Sequence, residues 1–240
     1  MLLVTLCFYS VPLCADAQFS IGIESGINKN YLITNNANQN FTNYKPLNSY
    51  TVGIPIQYKI NSWFAVATDP TFIQKNYRQE RSTFYTGVYQ NNLNSYIQLP
   101  LMAHFMFGEG RLKGFFNGGI FGSYWVAGKV KGQLANILDP VDNPTESGSI
   151  FNYLNSSNYS EKYSFDKTKD NRFEVGWVAG AGVSYDITPA LQVFSEARYL
   201  YSFTDQQKQY MKSQVPRYNS TYGINVGLLF SLPNKSSDNY

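Results

Sequence analysis

Apolar and polar residues alternate with a period of two along most of this sequence, and no other feature limits the possible folds as strongly. Successive side chains of a β-strand point to opposite faces, so each such segment has one apolar and one polar face. Eight segments alternate or form an apolar run bounded by turn residues: 18–30, 49–60, 63–77, 95–107, 114–128, 172–186, 191–201 and 221–230. Two of them, 63–77 and 114–128, are apolar on both faces, so the pattern does not decide which of their faces is buried. The pattern predicts an all-β chain of eight strands.

The connections between these segments are alternately long and short. Residues 61–62, 108–110 and 187–190 are tight turns, whereas the long connections are 31–48, 78–94, 129–171 and 202–220. Short periplasmic turns and long extracellular loops are typical of outer-membrane barrels. Because the number of strands is even, both termini are expected on the periplasmic side. We therefore predict an eight-stranded antiparallel up-and-down transmembrane β-barrel over residues 18–230, located in the cell outer membrane.

Composition excludes two other classes of protein. The chain has 20 Tyr, 17 Phe and 3 Trp, only 15% of its residues are charged, and its mean hydropathy is -0.30. A helical membrane protein needs about 20 consecutive apolar residues per span, and the sequence after the first residues has no such stretch. Disordered chains are poor in aromatic residues. The sequence therefore favours a β-rich fold with many aromatic anchors.

A soluble eight-stranded barrel or sandwich is the alternative fold. The polar faces here consist mainly of Gly, Ser, Asn and Gln, whereas soluble exteriors carry more Lys and Glu. This composition favours a narrow lumen over a water-exposed surface. Aromatic residues near the segment ends are expected to form the interfacial girdles of a membrane barrel: Tyr50, Tyr58, Trp63, Tyr96, Phe107, Tyr124, Trp125, Phe173, Tyr185, Tyr201 and Tyr222.

The two ends of the chain are expected to lie outside the barrel. A short apolar stretch is followed by Ala15-Asp16-Ala17, which is typical of a secretory signal peptide cleaved after residue 17. Cys7 and Cys14 both lie in this segment, so the mature chain has neither a disulfide framework nor a cysteine-ligated metal site. Residues 231–240 are expected to form a C-terminal periplasmic tail.

Several segments resemble the outer-membrane β-barrel domain family of Gram-negative bacteria, which includes PorT-like proteins and other small barrels of the porin family. The most specific match is the stretch YIQLPL from Tyr96 to Leu101, and the weaker matches are 114–119, 173–176, 179–183, 196–199 and 227–230. The long loop 129–171 and the tail after Phe230 depart from the family pattern. The resemblance implies the fold and the location. Functions within the family are diverse, and the PorT-like members imply an accessory role in protein secretion.

Two prolines fall inside predicted strands. Proline has no N–H to donate to a strand ladder and usually sits at sheet edges or bulges. A closed barrel has no edge. We therefore expect a local bulge at Pro55 and another at Pro100.

If apolar side chains face lipid, the polar set lines the lumen. Glu24, Asn225, Glu196 and Arg198 then fall near mid-height on three consecutive strands, the first, eighth and seventh. An arginine facing lipid at mid-bilayer costs about 2–4 kcal/mol, so we expect Arg198 to point inward. The hypothesis is that Arg198 pairs with Glu24 or Glu196, bridged by Asn225, as a structural plug; a gate or ligand site is the alternative.

Gln98 and His104 complete the predicted lumen network, since they share one face of their strand. His104 is the only histidine, and Ser20 and Asp186, its candidate catalytic partners, have no recognisable motif around them. The acidic residues of the loops match no calcium-loop spacing. We expect no catalytic, metal or cofactor site, and the chain is interpreted as non-enzymatic.

The expected partners follow from the location and the loops. Outer-membrane lipid and lipopolysaccharide would surround the barrel, and loops rich in Asn, Tyr, Ser and Thr suit contacts with proteins or glycans. The chain lacks the basic stripe of a nucleic-acid binder. Three roles stay open: structure or binding through the loops, an accessory role beside secretion-system proteins, and a narrow pore for small solutes.

Overall fold

The computed structural model describes residues 19–34, 41–144, 148–212 and 214–232. The predicted signal peptide and all but the first two residues of the predicted tail lie outside these ranges. The described strands are β1 (Phe19–Ile33), β2 (Thr42–Pro46), β3 (Asn48–Gly53), β4 (Ile56–Lys59), β5 (Phe64–Thr68), β6 (Thr71–Gln74), β7 (Tyr77–Arg81), β8 (Tyr89–Phe107), β9 (Leu112–Pro140), β10 (Leu154–Lys162), β11 (Phe173–Thr188), β12 (Leu191–Ser202) and β13 (Tyr218–Ser231).

Helical structure in the described residues is limited to 3₁₀ turns at Thr83–Tyr85 and Ile150–Asn152. Within these residues, no helix has the length and apolar character needed to cross a membrane.

Eight antiparallel wall strands form a closed ring. β3 with β4 makes the second wall strand and β5 with β6 makes the third, followed by β8, β9, β11, β12 and β13. β13 pairs back with β1, from Ser20 opposite Ser231 to Ile33 opposite Tyr218. The predicted eight-stranded up-and-down barrel with alternately short and long connections is confirmed.

Side-chain direction follows the alternation. In β1, the side chain of Glu24 points inward and the residue is 3% exposed, whereas neighbouring Ile23 is 63% exposed. The structure also resolves the two segments whose facing was open: Ala65 and Phe121 are buried, and Val66 and Ile120 face outward. The lumen is therefore polar with apolar layers, and the outer wall is apolar.

Two of the predicted girdle residues are inside the barrel instead. Tyr96 is 2% exposed and Trp125 is 5% exposed, and their rings stack with centroids 5.9 Å apart. Tyr96 has the same parity as Gln98, and Trp125 has the same parity as Phe121. Parity along the strand decides the facing of these rings, and proximity to a strand end does not.

The expectation of a bulge at Pro100 is wrong. β8 passes through Pro100 without a register shift, opposite Phe121, and its irregularity lies between Ser95 and Tyr96. At Pro55 the strand is interrupted between β3 and β4, but the register with β1 is the same on both sides, so no residue is inserted. The N–H of Gly22 still donates to the Pro55 carbonyl at 2.8 Å.

The third wall strand, which lies between the strands of Pro55 and Pro100, is interrupted at the row of these two prolines. Asp69 lies in the gap between β5 and β6, and the registers on both sides of the gap place it opposite Pro55 and opposite Pro100. Pro100 directs its backbone toward this gap, where its carbonyl accepts from Thr68 Oγ1 at 2.5 Å and its ring nitrogen has no hydrogen to donate. Pro55 directs its backbone the other way, toward Gly22 of β1. Only Pro100 therefore removes a donor from the ladder beside the interrupted strand.

The long loop expected at 129–171 contains strands. β9 continues to Pro140 and forms a hairpin with β10. About ten residues cross the apolar band of a barrel, and β9 has 29 residues, so much of it projects beyond the membrane. There it joins an extracellular sheet in the order β10, β9, β8, β7, β2.

Candidate functional site: the barrel lumen

Glycines on the inward faces leave room for long polar side chains. A Cβ at Gly180 would lie 2.0 Å from Glu196 Oε1, and one at Gly26 would lie 2.0 Å from Asn225 Oδ1. Both contacts are far inside van der Waals distance, so a Cβ at Gly180 would displace the Glu196 carboxylate, and one at Gly26 would also meet the Ile224 carbonyl oxygen at 2.5 Å. The glycine-rich polar faces of the sequence therefore make space for the charged cluster at mid-height.

Arg198 occupies the centre of that cluster. Its Nε donates to Glu196 Oε1 at 3.0 Å and its Nη2 to Glu196 Oε2 at 2.6 Å, a bidentate pair. Nη1 lies 3.4 Å from Glu24 Oε1, which also accepts from Asn225 Nδ2 at 3.4 Å. Charge-assisted bidentate pairs are among the strongest hydrogen bonds in proteins. The structure thus brings together four of the six residues that the sequence assigned to the lumen network.

A third carboxylate, Asp69, completes the cluster and was missed by sequence reasoning. Arg198 Nη2 donates to Asp69 Oδ2 at 2.7 Å. Asp69 lies in segment 63–77, whose facing the alternation left open, and the Asp69-Pro70 pair inside that apolar run was the available signal. One guanidinium therefore faces three buried carboxylates, so the cluster has more acidic than basic groups.

Gln98 and His104 also face the lumen, but neither bonds to Arg198. Gln98 is buried, and its Oε1 has no hydrogen-bond partner among the residues that the structure describes. His104 Nδ1 lies 2.5 Å from Asn117 Oδ1, and its ring packs on Phe115 with centroids 4.9 Å apart. These two residues line the lumen beside the Arg198 cluster.

The candidate catalytic partners of His104 are engaged elsewhere. The Ser20 hydroxyl bonds to that of Ser231 at 3.0 Å. Asp186 accepts from Lys113 Nζ at 2.7 Å and from Gln192 Nε2 at 2.8 Å. Within the described residues, no group of three or more His, Cys, Asp or Glu side chains is arranged to hold a metal ion.

A second buried ion pair lies nearer the extracellular end. Lys75 Nζ donates to Glu174 Oε1 at 2.9 Å, and Ser123 Oγ donates to Glu174 Oε2 at 3.1 Å. The ammonium also lies over the rings of Tyr96 and Phe121, at 5.0 and 4.8 Å from their centroids. Cation–π contacts add stabilisation when the cation is desolvated. The lumen thus holds two charged layers instead of the single one that the sequence indicated.

Aromatic rings close the lumen above this layer. Trp125 stacks on Tyr163 with centroids 5.2 Å apart, and Phe165 meets Trp125 edge-on at 5.0 Å. Tyr163 Oη donates to Asp170 Oδ1 at 2.7 Å. Burial, together with this bond to a carboxylate, raises the pKa of the Tyr163 hydroxyl. The chain after β10 therefore folds back over the mouth of the barrel.

Two small cavities, each of about 10 Å³, lie on either side of Arg198. The lower one is lined by Glu24, His104 and Glu196, among others, and the upper one by Asn28, Thr71 and Gln98. A cavity of this volume holds roughly one water molecule. Arg198 separates the two spaces, which fits the small diameter of an eight-stranded barrel filled by side chains.

Comparison with known proteins identifies the family. Residues 14–208 match the family described as outer membrane protein beta-barrel domain. The chain belongs to this family. The closed ring of eight strands agrees with the β-barrel fold of this family. The chain is a protein of the cell outer membrane, where it sits in lipid and lipopolysaccharide. No curated protein matches the chain.

Several solved structures are similar to this chain at low sequence identity. Neisserial surface protein A is 12% identical, with 89% of this chain and 97% of that chain covered and a TM-score of 0.45. OprG from Pseudomonas aeruginosa is 10% identical, with 92% and 99% covered and a TM-score of 0.49. Ail from Yersinia pestis, solved with the heparin analogue sucrose octasulfate, is 16% identical, with 89% and 99% covered and a TM-score of 0.41.

Proposed function

We propose that this protein is a non-enzymatic binding protein of the outer membrane, which takes an extended segment of a protein partner along the edge of its extracellular sheet. The lumen, with the network of Glu24, Glu196, Arg198, Asn225, Gln98 and His104, serves as a structural plug. The observation that carries the proposal is the free edge of β10, which pairs with β9 on one side and with no other described strand.

The plug is supported by the chemistry of the lumen. Two ion-pair layers and an aromatic layer are stacked along the barrel axis, around Arg198, Lys75 and Trp125. Buried ions that are paired and hydrogen-bonded are costly to separate. These layers favour a rigid scaffold over a pore for small solutes.

Backbone groups of β10 are available along this edge. The N–H of Tyr163 donates to the carbonyl of Gly128, in the same register as the hairpin. Since bonded and non-bonded pairs alternate in an antiparallel ladder, the backbone groups of Tyr159 and Glu161 point toward β9. Those of Ser156, Asn158 and Ser160 point away from β9, where an added strand would meet them.

The edge has little of the protection that exposed strands usually carry. Short length, proline, bulges and inward charges are the common means of blocking an edge. β10 has nine residues, no proline and charged side chains only at Glu161 and Lys162, and its pairing with β9 is irregular only between Leu154 and Ser156. An extended peptide could pair with it through main-chain hydrogen bonds, while side-chain pockets give specificity.

An apolar tip lies near the start of this edge. Ile137 is 79% exposed and Leu138 is 87% exposed, and β9 pairs with β10 at Pro140 opposite Leu154. Contiguous exposed apolar side chains on a surface outside the membrane indicate an interaction site, whereas isolated ones do not. The tip offers a first apolar contact beside the backbone edge, which favours a protein partner over a glycan.

The test uses nine-residue peptides displayed on phage, selected against the barrel in lipid nanodiscs. We expect enriched peptides whose binding is lost in Asn158→Pro, which removes an outward N–H, and is kept in Asn158→Ala. Both variants should keep the heat-modifiable gel mobility of a folded barrel. Binding that survives Asn158→Pro, or a selection without enrichment, would refute the edge as the binding site.

Planar bilayers test the plug. The wild-type barrel is expected to give no steady conductance, because Arg198 divides the lumen. Stable single-channel currents from wild-type protein would favour the pore instead.

A further inference from the structure

A groove of about 890 Å³ lies on the outer wall, over β11, β12, β13 and β1. The side chains on its floor are small, because Ala179, Ala181 and Ala197 face outward there. The registers place Ala181, Ala197 and Ile224 in one row across three strands. Pockets that enclose small ligands have volumes of roughly 300–1,000 Å³, so the groove has the size of a ligand site.

Aromatic rings form a ridge along the upper side of this groove. Trp177 packs on Tyr199 with centroids 5.1 Å apart, Tyr199 on Tyr222 at 4.5 Å, and Tyr222 on Tyr31 at 5.7 Å. Tyrosine and tryptophan rings collect at the level of the lipid headgroups. The groove therefore begins at the interface and continues down into the acyl-chain region.

Lys29 stands at the same level as the ridge. It lies opposite Tyr222 in β13 and opposite Asn48 in β3, and it lines the groove. Lys29 is five residues above Glu24 in β1. At ~3.3 Å per residue and a tilt of about 40°, this places it roughly 13 Å above mid-height, at the outer edge of the apolar band.

Lys29 forms no ion pair with an acidic side chain of the described residues. Among the described residues, the ion pairs use Lys45, Lys75, Arg78, Lys113, Lys169 and Arg198, and none uses Lys29. It is the one cation at the outward positions of β1, β3, β11, β12 and β13. A cation on a lipid-facing wall is stabilised by an anionic headgroup.

We propose that this groove binds one outer-leaflet lipid of the lipid A class, with a phosphate on Lys29 and an acyl chain over the alanine floor. The phosphate supplies the counter-charge that the protein does not provide. The acyl chain fills the space left by Ala181 and Ala197 against the wall. The Tyr199 and Tyr222 rings pack against the chain where it enters the groove.

Native mass spectrometry of the barrel released from detergent tests this site, with diphosphoryl lipid A as the probe and phosphatidylethanolamine as the comparison lipid. Wild-type protein is expected to retain one lipid A in preference to phosphatidylethanolamine. Lys29→Gln should weaken lipid A binding about fivefold, since one basic residue near a membrane surface contributes about 1 kcal/mol. Ala197→Leu should also weaken binding by filling the groove.

Two control variants carry the same chemical changes elsewhere. Lys131→Gln removes a charge from the extracellular part of β9, and Ala103→Leu enlarges an outward residue on β8; both should bind lipid A as the wild type does. Heat modifiability checks that each variant is folded. The site is excluded if Lys29→Gln and Ala197→Leu retain lipid A like their controls, or if phosphatidylethanolamine binds wild-type protein equally well.

Discussion

Arg198 Nη2 lies 2.7 Å from Asp69 Oδ2, although the two residues are 129 positions apart in the sequence. Asp69 comes from the gap that lies between Pro55 and Pro100, and Arg198 comes from β12 on the other side of the lumen. The interrupted point of the third wall strand is thus joined to the central cation. The ion cluster both fills the lumen and holds the interrupted wall strand in place.

Removing the cation should therefore be far more damaging than removing one anion. Arg198→Met leaves Glu24, Asp69 and Glu196 buried without a counter-charge, and we expect a loss of about 3–5 kcal/mol in the free energy of unfolding. Asp69→Asn keeps a hydrogen-bonding group and reduces the excess of negative charge, so it should change stability by about 1 kcal/mol or less. Urea unfolding in lipid vesicles measures both. Equal losses in the two variants would contradict the central role of Arg198.

The glycines beside the cluster make a second prediction. Gly180→Ala places a Cβ 2.0 Å from Glu196 Oε1 and should destabilise the barrel by about 1–3 kcal/mol, as overpacking does. Gly118→Ala is the matched control, because a Cβ there meets nothing within 4 Å. Both free energies of unfolding can be measured in the same vesicles. Equal stability of the two variants would exclude this packing role of Gly180.

Parity along the strands was enough to predict which side chains face the lumen near Arg198. Glu24, Glu196 and Asn225 lie on regular alternating strands, so their facing follows from counting. Asp69 could not be placed, because its segment is apolar on both faces and is broken at Pro70. The inward apolar layer around Phe121 produces that two-sided pattern.

The same physics explains why β10 was expected to be part of a loop. Alternation arises where one face meets lipid and the other meets the lumen. β10 stands above the membrane with water on its exposed side, so Ser156, Asn158 and Ser160 carry no such signal. Strands beyond the apolar band depend on hydrogen bonding with their neighbours, which composition does not reveal.

The upper ion pair should show strong coupling in a double-mutant cycle. Lys75→Met leaves Glu174 buried without its cation, and we expect a loss of about 3–5 kcal/mol. The double variant Lys75→Met/Glu174→Gln removes both charges and should recover most of this loss, since Ser123 can still bond to the amide. Glu174→Gln alone completes the cycle, and losses of the two single variants that add up to that of the double variant in urea unfolding would show that the two residues act independently.

The extracellular sheet should weaken at low pH through Glu80. Lys45 Nζ lies 2.6 Å from Glu80 Oε2, joining β2 to β7. Its hydrogen bond lowers the pKa of Glu80. A carboxyl whose pKa is lower in the folded state stabilises that state above its unfolded pKa, roughly 4.3, and the contribution is lost as the pH falls through the folded pKa.

Carboxyl NMR of Glu80 measures the midpoint of its titration. We expect this midpoint to rise in Lys45→Met and to stay unchanged in Lys129→Met, which removes a lysine from β9 in the same extracellular sheet. An unchanged midpoint in Lys45→Met would mean that this ion pair does not form in solution.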